Sequence, residues 1–213
     1  MRDLENEMDL NEKQIQILEV AEKLFAENGF DGTSVRHIAK EADVNVAMIS
    51  YYFGSKEKLL GTLMIHRASD FRIQAESVLT EEMSYLDRID SLIEFAIKRI
   101  HSNRRMYKII HFEYSNVSRQ IDFDNYLDQK LENYKLIENF VKDGQRAGVF
   151  SKTVDIPLIF PTILGTYFNF YYNKSFFQRM HGLDNITSFD DFVYKKLTPH
   201  IQKTIKALLT YEI

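Results

Sequence analysis

Apolar residues recur at spacings of three and four along most of the chain, and this feature most constrains its fold. Between Asn11 and Asn28 the recurring apolar positions are Ile17, Leu18, Ala21, Leu24 and Phe25. No alternation of apolar and polar residues, the pattern of a half-buried strand, continues over six residues. Only three prolines and eight glycines interrupt the 213 residues, too few for the turns of a sandwich or barrel. The sequence therefore predicts an all-α fold.

The breaks between the periodic stretches predict where each helix begins and ends. Gly29 ends the first helix, Thr33 or Ser34 caps a short second helix, and Asn45 caps a third that runs to about Tyr52. The remaining helices are predicted at 56–79, 85–103, 105–118, 124–147, 156–179 and 189–211. The change from short helices to long aromatic-rich ones predicts a small N-terminal module followed by a larger helical body.

Composition and motifs argue against an enzyme. The chain has no cysteine, which excludes disulfides, thiolate metal sites and cysteine nucleophiles. It contains no H-E-x-x-H, G-x-S-x-G, P-loop or G-x-G-x-x-G motif, so we predict neither catalysis nor a cofactor or metal site. The first fourteen residues are polar and acidic, unlike a secretory signal, and we expect a cytoplasmic protein.

One stretch is apolar enough to raise the question of a membrane span. Residues 156–173 carry no charge, but they include two prolines and lack flanking basic clusters. We expect a helix that is buried on most sides rather than a span. The final helix carries another broad apolar stripe, so both helices are candidates for a dimer interface.

The net charge of the chain does not indicate a nucleic-acid partner. The whole chain has a net charge of −4, and its first 60 residues hold 7 Lys and Arg against 12 Asp and Glu. A DNA contact would therefore depend on a local cluster of side chains.

The second and third helices, joined by the four-residue turn 41–44, form a helix-turn-helix in sequence terms. In such a unit the N-terminal residues of the last helix meet base edges in the major groove. Here those residues are Asn45, Val46, Ala47 and Met48, with Tyr51 one turn further along. Apolar side chains at these positions favour contact with thymine methyl groups.

Residues 11–60 resemble the DNA-binding domain of TetR-family transcriptional regulators. The resemblance rests on LEVAEKLFAENGFDGTSVRHIAKEADVNVAMISYYFGSKEKLL, which keeps the family's A-x-x-L-F-x-x-x-G-F, G-T-S-V-R-x-I-A and Y-Y-F-x-S-K-E-x-L motifs in order. It implies phosphate contacts from Thr33 or Ser34, from Tyr52 and from Lys56, with Arg36 pointing toward the groove. Tyr51 would touch backbone or base.

The chain also departs from the family pattern. Ser50 stands where the family frequently has tyrosine, and Met48 where a small or charged residue is usual. Tyr51, Tyr52 and Phe53 could instead be core aromatics closing a three-helix bundle. We expect this of Phe53, whereas the two tyrosines favour contact with DNA.

The resemblance further implies a division into a flexible acidic segment (1–10), a helix-turn-helix domain (11–57) and an effector-binding and dimerisation domain (58–213). The last two long helices would pair with those of a second copy, and the body would bind a small effector. Aromatic residues at helical spacing are more often core than ligand contacts, and core packing is the alternative here. The candidate effector residues are His66, His111, Phe112, Tyr167, Phe168 and Tyr171.

Two functional hypotheses follow. The first is a ligand-responsive repressor that binds a palindromic operator as a homodimer and is released by a small hydrophobic or aromatic effector. The alternative is a dimeric helical interaction protein without sequence-specific DNA binding, which the acidic N-terminal part favours.

Overall fold

The computed structural model describes residues 10–115, 124–183 and 185–211, and no side chain between 111 and 115. Within these ranges the chain forms helices and no strand, which confirms the predicted all-α fold. The α-helices are α1 (Glu12–Asn28), α2 (Val35–Glu41), α3 (Val46–Phe53), α4 (Lys56–Thr80), α5 (Tyr85–Ser102), α6 (Arg104–Ser115), α7 (Asp124–Arg146), α8 (Ile159–Tyr172), α9 (Lys174–His181), α10 (Ile186–Phe192) and α11 (Thr198–Thr210).

Local capping sets the ends of the first helix. The Asn11 side chain accepts a hydrogen bond from the Gln14 amide at 3.0 Å, and the Gln14 side chain accepts one from the Asn11 amide at 3.0 Å. This reciprocal pair satisfies amides that have no partner inside the helix. Gly29 ends α1 with φ +74°, a conformation that a residue with a Cβ atom rarely adopts.

The first compact unit comprises the described parts of Met1–Ile73 and Asn103–Asn133. Apolar side chains of α1 to α4 and of α6 share one core. Arg67 of α4 donates two hydrogen bonds, of 2.9 and 2.7 Å, to Glu22 Oε2 of α1, and Glu22 is buried. Lys108 of α6 donates to the Ala26 carbonyl near the end of α1 at 3.0 Å. Both α4 and α6 therefore hold α1 in place.

The second compact unit comprises Gln74–Ser102 and the described part of Tyr134–Ile213. The buried face of α5 packs against α11. Gln202 Nε2 donates to the Asp90 carbonyl at 2.9 Å, and Lys206 Nζ lies 2.5 Å from Asp90 Oδ2. The predicted division between residues 57 and 58 stays a prediction, as does the flexible segment 1–10, of which only Leu10 is described.

The prediction of one helix over 156–179 is wrong. The structure has a 3₁₀ turn at Ile156–Leu158, then α8, and then α9 after a break at Asn173. The Asn173 side chain donates to the Asn169 carbonyl at 2.9 Å, and such local bonds compete with helix continuation.

The last predicted helix starts earlier than expected and is interrupted. Asn185 and Ser188 form a capping box that begins α10 at Ile186. A π-helical segment, Val193–Leu197, joins α10 to α11. Pro199 has no N–H to donate, and the Thr198 hydroxyl donates to the Val193 carbonyl at 2.9 Å.

The uncharged stretch is buried on one face only. Ile163 and Tyr167 of α8 are buried, whereas Gly165, Asn169 and Tyr172 are exposed. Within the single chain, the expectation of burial on most sides is therefore not met. Among the described residues, no helix has the length and apolarity needed to span a membrane.

Candidate nucleic-acid interface

The turn between α2 and α3 brings these helices together as a helix-turn-helix. The Val44 amide donates to the Ala39 carbonyl at 3.0 Å across the turn, and Asp43 takes a left-handed conformation with φ +49°. Gln16 of α1 donates to the Ala42 carbonyl at 2.9 Å. The turn is thus fixed both internally and by α1, which keeps the two helices in a set orientation.

Helix α3 divides cleanly into a buried and an exposed face. Ile49 and Phe53 are buried in the core of the first unit, which confirms the prediction for Phe53. The outward positions are exposed or half-exposed: Asn45, Val46, Ala47, Met48, Ser50 and Tyr51. These include all five residues that the sequence predicts to face base edges.

Asn45 has a structural task that leaves part of its side chain available. Its Oδ1 accepts a hydrogen bond from the Ala47 amide at 2.8 Å and so caps α3. The Nδ2 group keeps two protons that the cap does not use. The side chain can therefore hold the helix end and still donate outward.

Thr33 and Ser34, which the sequence did not separate, differ sharply in the structure. Thr33 is fully buried, and its hydroxyl donates to the Leu24 carbonyl at 3.0 Å and the Gly29 carbonyl at 2.8 Å. Its side chain is therefore removed from the predicted phosphate contacts. Ser34 is exposed, caps α2 by accepting from the His37 amide at 3.1 Å, and keeps its hydroxyl proton.

Arg36 is exposed on the first turn of α2. It makes no ion pair or side-chain hydrogen bond with any residue that the structure describes. Glu41, the acidic residue at the other end of that helix, lies 4.0 Å from His37. The guanidinium is thus available to an external anion.

The two tyrosines at the end of α3 have different surroundings. Tyr51 is 84% exposed, whereas Tyr52 is half-buried against the core of the first unit. Their ring centroids lie 5.4 Å apart in an edge arrangement. The Tyr52 hydroxyl has no hydrogen-bond partner in the described part of the chain.

Lys56 does not project freely into solvent. Its Nζ donates to the Phe30 carbonyl at 2.9 Å and to the Thr33 carbonyl at 3.0 Å, and it lies 4.1 Å from the Phe30 ring centroid. Two of the three ammonium protons are therefore used inside the protein. Only the third ammonium proton of Lys56 would be available for the predicted phosphate contact.

A carboxylate lies next to this lysine. The backbone N–H of Glu57 and the Ser55 side chain hydrogen-bond to the Glu57 carboxylate, which lowers the pKa of Glu57 below its ordinary value of 4.5. Partial burial opposes this shift, and the charge of Lys56 adds to it. A negative charge on the first turn of α4 also interacts favourably with the helix dipole.

The predicted effector residues do not all fall in one unit. His66 belongs to the first unit, is half-buried, and lies 4.0 Å from Asp70. The side chains of His111 and Phe112 lie outside the described residues. Tyr167, Phe168 and Tyr171 are on α8 of the second unit, so the complete predicted set stays a prediction.

Tyr167 takes part in a polar cluster inside the second unit. Its hydroxyl lies 2.8 Å from His101 Nδ1, and His101 Nε2 lies 2.8 Å from Asp190 Oδ1. Tyr167 and His101 are buried, and the Tyr171 ring stacks parallel to Tyr167 at 6.1 Å. The sequence did not indicate that His101 and Asp190 are partners, because 89 positions separate them.

A groove of about 550 Å³ runs along the surface between α8 and the segment that joins α10 to α11. Its residues are Gly165, Thr166, Asn169, Phe170, Phe177, Phe192, Lys196, Leu197 and His200. A methyl group added at Gly165 would meet no atom of the described residues within 4 Å. Another helix could therefore approach α8 closely at this point.

Comparison with known proteins agrees with this architecture. Residues 17–63 match the sequence profile of bacterial regulatory proteins, tetR family. The probable HTH-type transcriptional regulator YttP of Bacillus subtilis is 34% identical over 142 residues, which cover 62% of this chain and 64% of YttP. The match therefore spans less than two thirds of that relative.

More distant relatives share the fold over a greater length. The HTH-type transcriptional repressor KstR2 of Mycobacterium tuberculosis is 23% identical over 74% of this chain and 78% of its own. The structure of FadR from Bacillus subtilis, determined in complex with stearoyl-CoA, has a TM-score of 0.71 at 18% identity, covering 92% of this chain and 98% of FadR.

Proposed function

Since the chain belongs to the TetR family of bacterial regulatory proteins, as its motifs indicated, we propose that it is a ligand-responsive repressor that binds a palindromic operator as a homodimer. The named relatives are transcriptional regulators and repressors rather than enzymes. They favour this function over that of an interaction protein without DNA binding. The proposal puts the protein in the cytoplasm with its operator.

The observation that carries the proposal is the exposed face of α3 on a rigid support. Asn45, Val46, Ala47 and Tyr51 face outward from a helix whose other face is locked into the core of the first unit. A single helix of this kind fits the major groove of B-form DNA. Ser34 and Arg36 would contact the phosphates beside it, and Tyr52 has a hydroxyl available for the same purpose.

The chemistry of α3 suggests what it would read. Val46, Ala47 and the half-exposed Met48 carry no charge and suit apolar contact with thymine methyl groups. Asn45 and Tyr51 add polar groups at either end of this apolar row. We expect half-sites with thymine at the positions nearest Val46 and Ala47.

Selection of bound duplexes from a random pool tests the proposal directly. We expect two inverted half-sites with a fixed spacing, because the symmetry of an operator mirrors that of a two-fold protein. Repeating the selection with Ala47→Gln should change the preferred base at one position of each half-site. If the wild-type protein retards no duplex at low salt, or if the selected sequences lack dyad symmetry, the proposal fails.

The proposed dimer surface is the outer side of α8 and α11. The exposed residues of these helices and of the 3₁₀ turn before α8 include the uncharged Leu158, Gly165, Tyr172 and Leu208, and α11 also exposes Lys203. The groove beside Gly165 would receive a helix of the second copy. Burying such a face on both protomers would remove an exposed apolar patch from water.

We further propose that the effector is hydrophobic or aromatic. FadR was crystallised with stearoyl-CoA, and KstR2, whose structure is also known, is a ketosteroid transcriptional regulator. The aromatic residues Tyr167, Phe168 and Tyr171 suit a ligand of this character. The effector would bind one arrangement of α4 better than another and so shift the population of the DNA-binding state.

Stearoyl-CoA and a steroid are suitable first probes for this part of the proposal. Operator affinity is measured with and without each probe at saturating concentration. A probe that binds the protein should lower operator affinity, and a probe that binds tightly without any such change would refute the mechanism.

A further inference from the structure

Lys56 ties the start of α4 to the loop between α1 and α2. Its ammonium donates to the carbonyls of Phe30 and Thr33, which lie 26 and 23 positions earlier in the chain. The same ammonium lies over the Phe30 ring, and both Phe30 and Thr33 are buried. Hydrogen bonds from a charged donor are stronger than neutral ones, so these two bonds form a firm link.

The linked loop leads directly into the part of α2 that is proposed to contact DNA. The Thr33 amide donates to the Phe30 carbonyl at 3.2 Å, and the Thr33 hydroxyl donates to the Gly29 and Leu24 carbonyls. Ser34 follows immediately as the cap of α2, and Arg36 lies on its first turn. The position of the loop therefore sets where the Ser34 hydroxyl and the Arg36 guanidinium point.

We propose that Lys56 is a positioning residue for DNA binding: it clamps the 29–33 loop against α4 and so places Ser34 and Arg36, rather than contacting a phosphate itself. This inference rests on the proposed function. It differs from the contact predicted by resemblance to the family, in which the ammonium binds DNA directly. The two roles make different predictions for how mutations combine.

The test is a double-mutant cycle of operator affinity with Lys56→Met, Arg36→Gln and the double variant. Groups that act through one another give non-additive effects, whereas independent contacts give additive ones. If Lys56 acts through Arg36, each single variant loses roughly tenfold in affinity, and the double variant stays within about threefold of the weaker single. Lys58→Met removes the same charge two residues further along α4. It therefore measures how much operator affinity is lost when a positive charge alone is removed.

Salt dependence gives a second readout of the same variants. Each ionic phosphate contact contributes about −0.9 to the slope of log K against log salt. If Lys56 acts as a clamp, the double variant should lose only about one phosphate contact, which makes the slope less negative by about 0.9. Multiplicative affinity losses, together with a slope change near two contacts, would show that Lys56 contacts phosphate directly and would overturn the inference.

Amide hydrogen exchange of the free protein tests the clamp without DNA. Lys56→Met should speed exchange at Thr33 several-fold, and Lys58→Met should leave it unchanged. Lys56→Gln serves if the methionine variant loses helix content. Unchanged exchange in both Lys56 variants would also overturn the inference. If the wild-type protein binds no operator, the proposed function fails, an outcome that the wild-type titration alone identifies.

Discussion

Thr33 and Ser34 are adjacent, both carry a hydroxyl, and the structure gives them separate tasks. We predict that Thr33→Val mainly lowers stability and weakens operator binding less than Ser34→Gly does, because the Lys56 bonds to the Phe30 and Thr33 carbonyls still hold the loop. Ser34→Gly should mainly lower operator affinity. Valine keeps the shape of threonine and removes only the proton that is shared between the Leu24 and Gly29 carbonyls. Glycine removes the Ser34 hydroxyl but remains acceptable as a helix cap.

The magnitudes follow from the bonds that each side chain makes. A net hydrogen bond contributes about 1 kcal/mol, and leaving a buried group short of a partner costs about 1–3 kcal/mol, so Thr33→Val should cost about 1–2 kcal/mol. Ser34→Gly should cost only a few tenths of a kcal/mol, because the exposed cap is weakened but not blocked. A lost hydrogen bond to a phosphate corresponds to about tenfold or more in affinity.

Urea unfolding followed by helical circular dichroism measures the first quantity. With a slope of about 2 kcal/mol per molar, the Thr33→Val midpoint should fall by roughly 0.5–1 M. Operator titrations under conditions well below the unfolding transition measure operator affinity. If Thr33→Val weakened operator binding as much as Ser34→Gly while keeping the wild-type midpoint, the assignment of the Thr33 hydroxyl to the protein interior would be refuted.

Further predictions concern packing, charge and assembly. Gly144→Ala should destabilise the protein by about 1–2 kcal/mol, since the added Cβ would collide with the ring of buried Phe150. Adding Phe150→Leu should recover part of this loss in thermal unfolding, and purely additive losses would contradict the prediction. Because folding lowers the pKa of Glu57, the ionised Glu57 carboxylate stabilises the fold above the unfolded-state pKa of 4.5, and this stabilisation is lost as the pH falls through the lower folded-state pKa. A midpoint at or above 4.5 in an NMR titration of Glu57 would contradict this prediction. Gly165→Arg should keep the fold, because space is open there, but should give a monomer in sedimentation experiments; a stable dimer would argue against the proposed surface.

Much of the fold could be predicted because its signals are local. The spacing of Ile17, Ala21 and Leu24 placed α1 and its buried face, and Asn45 was a recognisable cap. The cap of α2 was narrowed to Thr33 or Ser34, and the structure shows that it is Ser34. These features depend on residues within one or two helical turns. The boundaries at the C-terminal end were less well predicted, because the break at Asn173 and the π-helical segment before Pro199 leave only weak marks in the pattern.

What the amino-acid order determined by itself was the helical class, the helix-turn-helix and the set of side chains that α3 turns outward, since periodicity and capping act over short distances. Only the tertiary structure decided which polar atoms are still available to a partner. The Thr33 hydroxyl and two protons of Lys56 are used by carbonyls of other elements, and His101 meets Asp190 across 89 positions. Such bonds form between segments brought together by burial of the core, and no local pattern records them.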